Sequence, residues 1–117
     1  MAAPNVVSVA TITGKTAVLV VTDSAVAIVT NSGSSGKVFK VNALYIANVD
    51  GTTNYTVNVD LYRSATAYRI AYLMSVPAGS TVDVLSKSIY LEEGDTLRLT
   101  GSTTLKLEGV CSYEEIS

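Results

Sequence analysis

The chain has 117 residues, 48% of them hydrophobic and 15% charged, with a net charge of −2 and a mean hydropathy of +0.36. That length fits one domain, residues 1–117, able to bury a core without metal or disulfide support, and the charged share is well below the usual value of about a quarter. Histidine is absent and Cys111 is the single cysteine, which excludes His-based triads, His metal ligands, a thiolate zinc cluster within the chain and an internal disulfide.

Charge is replaced by Ser, Thr, Asn and Gly rather than by disorder-promoting residues. A small domain has much surface to cover, so low charge and high apolarity predict that a partner covers part of it. The eight Lys and Arg residues are scattered singly, so the basic stripe of a nucleic-acid binder is missing. No positive residue precedes the first apolar residues, which argues against a secretion signal. The apolar runs 17–21 and 25–29 are too short to cross a bilayer as helices, so no membrane partner is expected.

Along the chain, Pro4-Asn5 opens an extended arm over about residues 1–7, and residues 6–13 are β-rich. Thr13-Gly14-Lys15 reads as a turn. The run 15–22 lacks alternation and predicts a strand buried on both faces, and 25–30 is another short apolar strand. Asn31-Ser32-Gly33-Ser34-Ser35-Gly36 has the composition of a flexible loop. Residues 38–48 form a long strand with apolar residues in both rows, which predicts cover on both faces. Asp50-Gly51 centres the next turn.

The clearest stretch is a hairpin. In its first strand, over 55–63, Tyr55, Val57, Val59 and Leu61 alternate with Thr56, Asn58, Asp60 and Tyr62. After Ser64-Ala65-Thr66, Tyr68, Ile70, Tyr72, Met74 and Val76 form one row of a strand over 67–76, and Ala67, Arg69, Ala71, Leu73 and Ser75 the other. Pro77-Ala78-Gly79-Ser80 is a turn. Shorter strands follow at 81–85, 87–91 and 96–100, with an acidic turn at Glu92-Glu93-Gly94-Asp95. The last strand spans 104–113, and Gly109 in its middle marks a bulge or a close backbone approach. Eight to ten short strands with turns at this spacing and no helix define an all-β, antiparallel β-sandwich, jelly-roll or immunoglobulin-like. The lack of Trp and of a Cys pair argues against an antibody-type domain.

No catalytic constellation stands out. Cys111 reads as a small buried apolar residue without a base to activate it. Gly33-Ser34-Ser35-Gly36-Lys37 lacks the first glycine, the hydroxyl residue and the helix of a phosphate loop. Glu92, Glu93 and Asp95 could together catch a hard cation such as calcium, but the ligand count is low and a solvated turn is the favoured reading. No cofactor is expected. The seven tyrosines read as half-buried strand residues, or as platforms for sugars or protein partners.

Several stretches, in order, carry a resemblance: Met1-Ala2-Ala3-Pro4-Asn5, Thr13-Gly14-Lys15-Thr16, Gly36-Lys37-Val38-Phe39-Lys40-Val41-Asn42, Ala47-Asn48-Val49-Asp50-Gly51, Ser75-Val76-Pro77-Ala78-Gly79-Ser80-Thr81, Tyr90-Leu91-Glu92-Glu93-Gly94-Asp95 and Cys111-Ser112-Tyr113-Glu114-Glu115. The chain resembles a family of small virion structural proteins of tailed phages, especially marine cyanophages and their relatives. The resemblance implies a non-enzymatic particle component with no catalytic residue to carry over. The expected role is a capsid decoration or cement protein on the head, bound to the major capsid protein or other virion proteins as a homo-oligomer, with a trimer favoured. A neck or tail component, a fibre-attachment adaptor and a carbohydrate-binding adhesion module are the alternatives. The expected contact residues are Ala2, Pro4, Asn5, Val6 and Val7 in the N-terminal segment 2–9, Asn31 and Lys37 in the loop 31–37, and Asp50 and Asn54 in the loop 50–54.

Overall fold

Nine strands carry the regular structure of residues 11–117, the part of the chain that the computed structural model describes. They are β1 (Ile12–Val20), β2 (Val26–Thr30), β3 (Val38–Asn48), β4 (Tyr55–Arg63), β5 (Thr66–Val76), β6 (Thr81–Asp83), β7 (Ile89–Leu91), β8 (Thr96–Gly101) and β9 (Leu107–Ile116). The predicted arm residues Ala2, Pro4, Asn5, Val6 and Val7 lie outside the described residues.

The pairing is nested. β1 pairs with β9, β2 with β8, β3 with β6 and β7, and β4 with β5, all antiparallel. The chain is thus one long hairpin, with β6 and β7 as two pieces of a single interrupted strand. Folding that hairpin over brings β9 beside β3 and β8 beside β4. Two sheets result, β1-β9-β3-β6 with β7 also on β3, and β2-β8-β4-β5. This is the jelly-roll arrangement of a β-sandwich. In an immunoglobulin-like sandwich the first two strands share a sheet, whereas here β1 and β2 lie in different ones.

The core lies between the sheets. Val41, Leu44, Ile46, Leu107 and Cys111 come from one, and Val57, Val59, Leu97 and Leu99 from the other, all essentially inaccessible to water. Each such aliphatic side chain contributes about 1.5–3 kcal/mol by leaving water. Gly109 resolves to a close approach: a Cβ there would lie 2.7 Å from Leu99 Cδ1 and 3.3 Å from Ile28 Cδ1.

Expectations change in three strands. In β3 the register with β9 slips between Val41 and Ala43, so Asn42 is an extra residue. Phe39 and Val41 face the core before the bulge, and Leu44 and Ile46 after it. The two apolar rows therefore reflect one buried face that changes phase, not cover on both faces. Thr13-Gly14-Lys15 is no turn but lies inside β1, in unbroken register with β9. The apolar run after it forms an edge strand, with Ala17 and Leu19 half-buried and Val18 and Val20 exposed, so it is not buried on both faces. In β5, register shifts on both sides of Val59 insert two extra residues. Ala71, Met74 and Val76 are thereby covered, while Tyr68, Ile70, Tyr72 and Leu73 stay exposed. Leu73 sits at φ 53°, and its N–H donates to Asn58 Oδ1 at 2.7 Å.

The β4–β5 turn is two residues long, since Arg63 pairs with Thr66. Ser64 and Ala65 both have positive φ, 52° and 59°, as a type I′ turn requires. Neither residue favours that region. Ser64→Asn with Ala65→Gly is expected to raise the unfolding free energy by about 1 kcal/mol, measured by urea denaturation. An unchanged or lower midpoint would contradict the assigned turn.

Candidate functional site

Each end of the sandwich is tied by a buried asparagine. At one end Asn31 is inaccessible to solvent. Its Nδ2 donates to the carbonyls of Lys37 (2.9 Å) and Leu91 (3.0 Å), and Ser35 Oγ donates to its Oδ1. Its backbone bonds to both sides of the acidic turn, with Asn31 N–H donating to Asp95 O and Gly94 N–H to Asn31 O. Glu93 accepts the Gly36 N–H. The loop 31–37 is thus pinned along its length, although its Ser/Gly composition reads as flexible. Asn31, expected at a contact, serves the loop. Lys37 is half exposed and donates to Glu115 at 3.1 Å.

The acidic turn is not simply solvated. Asp95 is buried and accepts two bonds from Arg63, one from Nε at 2.7 Å, and the Glu92 N–H at 2.8 Å. Burial works to raise the Asp95 carboxyl, but the Arg63 bonds, the Glu92 amide and the guanidinium charge outweigh it and hold the group below its usual range. Glu115 behaves alike. Burial opposes its ionisation, and bonds from Lys15 (3.0 Å) and Lys37 overcome that. Among the described residues no group of three or more acidic or Cys side chains is placed to hold a metal ion.

At the other end Asn48 Nδ2 donates to the carbonyls of Thr53 (2.8 Å) and Val76 (3.0 Å), and its Oδ1 accepts the Asp50 N–H. The Asp50 carboxylate accepts from the Thr52 amide, the Tyr55 hydroxyl and the Thr52 hydroxyl, which together hold it at about 2. Asn54 Oδ1 accepts the Ala78 N–H. Of these two expected contacts, Asp50 bonds within its own loop, while Asn54 ties that loop to the β5–β6 turn and stays exposed. The loops bring Asn31 and Lys37 together at one end and Asp50 and Asn54 at the other, so the two pairs do not form one site.

Cys111 is fully buried, and burial pushes its thiol up to about 11, so it is a poor nucleophile and out of reach of a partner's thiol. Two tyrosine rings carry a cation on one face, although Tyr72 remains largely exposed. The Arg98 guanidinium lies 3.9 Å from the Tyr62 ring centre and that of Arg69 5.4 Å from Tyr72.

The surface feature that sequence reading missed is apolar. On the outer face of the β1-β9-β3 sheet, Val18, Val110 and Tyr45 stand side by side in register, and all three are exposed. Val20 extends the row. A shallow depression of about 440 Å³, lined by Val18, Leu19, Val20, Glu108, Gly109 and Val110, runs along it. The signal was present as the lack of charge in residues 16–22, but the run reads equally well as a buried strand.

No protein-family model matches the chain, and no curated protein does. Among solved structures, the chain is similar to one described under "Bacillus endospore appendages form a novel family of disulfide-linked pili". The two are 18% identical with a TM-score of 0.53, and the alignment covers 92% of this chain and 88% of that one. The likeness extends to the fold.

Proposed function

We propose that this chain is a non-enzymatic structural subunit of a phage virion, with capsid decoration as its leading role. The observation that carries the reading is the exposed apolar row Val18, Val110 and Tyr45 on a rigid sheet, a surface suited to burial against a neighbour. The sequence resemblance to virion proteins supplies the kind of particle. The carboxylates bound up in ion pairs and loop bonds, and the inert thiol, fit a subunit whose work is packing rather than chemistry. Its partners would be the major capsid protein or other virion proteins, and its place the head surface.

Copy number in purified virions, by quantitative mass spectrometry against the major capsid protein, tests this. A ratio comparable to the capsid protein supports decoration. A small fixed fraction would move the chain to the neck or tail, and absence would remove the virion reading.

A second reading rests on the shared fold with the pilus chain: a subunit of an appendage filament. The buried Cys111 means that such a filament would hold together without disulfides through the described residues. Filaments in electron micrographs of concentrated protein, surviving reductant, would favour it.

A further inference from the structure

The two sheets have four edges, and three of them are blunted. β2 is five residues long with a register shift, β5 carries two bulges, and β6 and β7 are three-residue pieces. These are the usual devices by which sheets avoid pairing with other chains. β1 has none. It is nine residues long, proline-free, in unbroken register with β9, and carries one charge, Lys15. Among the described residues its other side has no neighbour. A long, regular, apolar edge of that kind is a template for another strand.

Its backbone phase is fixed. Thr11 and Ser117 exchange both backbone bonds, at 3.0 and 2.9 Å, and Val21 N–H donates to Leu107 O at 2.8 Å. In an antiparallel ladder such pairs alternate, so the odd-numbered residues of β1 face β9 and the even-numbered ones point N–H and C=O to the open side. Ile12, Gly14, Thr16, Val18 and Val20 therefore present the free groups.

We propose that β1 pairs antiparallel with β1 of a second copy, about a two-fold axis at Thr16. The sequence is complementary to itself in this register. Ile12 lies opposite the second copy's Val20, Gly14 opposite Val18, and Thr16 opposite Thr16, which matches all nine residues without overhang. Ile12 and Val20, 56% and 45% exposed, become a cross-strand apolar pair at each end. Val18, 75% exposed, faces the one position, Gly14, that leaves it room. No like charges oppose, since Lys15 meets Ala17 and already pairs with Glu115. The two sheets join into one, and their apolar outer rows come to lie on a common face.

Sedimentation equilibrium of the isolated full chain is expected to give twice the 12.2 kDa monomer mass. Thr16→Pro removes an outward N–H and leaves the β9 ladder intact, and is expected to weaken the dimer at least about tenfold. Thr16→Cys is expected to cross-link into a dimer on oxidation, because directly opposed Cα atoms at about 5.5 Å suit a disulfide. Val18→Cys is expected not to, its symmetry mate lying roughly 13 Å away along the strand. A monomer, a trimer, a dimer indifferent to Thr16→Pro, or Val18→Cys cross-linking ahead of Thr16→Cys would each overturn the pairing. So would a chain that dimerises only after deletion of residues 1–10, whose own N-terminal segment would then hold the edge. These measurements need no virion, so their outcome is separate from that of the copy-number test.

Discussion

Asp95→Ala is expected to lower the unfolding free energy by about 3 kcal/mol at neutral pH, read as a fall of roughly 10 °C in the thermal midpoint. The Coulomb attraction of the pair is a minor part of this, because the Arg63 side chain is 42% exposed and water screens it. The larger part comes from what is left behind. Asp95 is 1% exposed and gathers the Arg63 guanidinium and the Glu92 N–H from two different turns. Without it the Glu92 N–H loses its acceptor, the Arg63 Nε loses its carboxylate, and the β7–β8 turn keeps only the exposed Arg63–Glu92 bridge, 2.9 Å, to the end of β4. Asp95→Asn, which keeps an accepting oxygen, is expected to cost about half as much. The same group sets a pH dependence. Its folded value lies below the unfolded value of about 4, so its contribution is full above that and is lost as pH falls through the folded value. Glu115 and Asp50 have the same sign, so the wild-type chain loses stability on acidification below about pH 4, and Asp95→Ala should show a shallower acid slope. Equal midpoints for variant and wild type would sink this account of the turn.

What the sequence made legible, and what it hid, follow from how far each signal reaches along the chain. β3 and β4 match their predicted spans at both ends, because hydrophobic alternation and Asn/Asp/Gly turn chemistry are local properties. Bulges are not local in that sense. Asn42 in β3 and the extra residues of β5 depend on which strand lies opposite, and they turn one buried row into two apparent ones. β1 was misread for a related reason: Gly14 resembles a turn residue, and Val18 and Val20 resemble core, until the nested pairing places the strand at an edge. The choice between jelly-roll and immunoglobulin-like order was open for the same cause, since it is settled by β1 with β9 and β2 with β8, partners far apart in sequence. Of the expected contact residues, Asn31, Asp50 and Asn54 were singled out by loop composition. Composition cannot distinguish an asparagine that faces a partner from one that bonds its own backbone.

Asn31→Asp separates those two roles and has the largest expected effect. The substitution changes volume little, yet it puts an oxygen where Nδ2 donates to the carbonyls of Lys37 and Leu91. A carboxylate there has no protein donor to replace the two lost bonds and sits at a position with no solvent access. The expected loss at neutral pH is about 4 kcal/mol, against about 2 kcal/mol for Asn31→Ala, which removes the bonds without adding a charge. Protonation returns one donor to the site and removes the charge, so folding must raise the pKa of the introduced Asp above its unfolded value of about 4. The sign is then opposite to that of Asp95. The penalty is smallest below the unfolded value and grows as pH rises toward the folded value, so Asn31→Asp should approach the wild type on mild acidification while Asn31→Ala does not. Urea denaturation of the three proteins at neutral pH and near pH 5 measures it. If Asn31→Asp unfolds with the wild-type midpoint at neutral pH, Asn31 is free to turn outward and the loop it ties becomes available to a partner. If the midpoint falls and recovers with acid, the loop is held from within, and contacts made at that end of the sandwich must come from its exposed groups, Lys37 among them, rather than from Asn31.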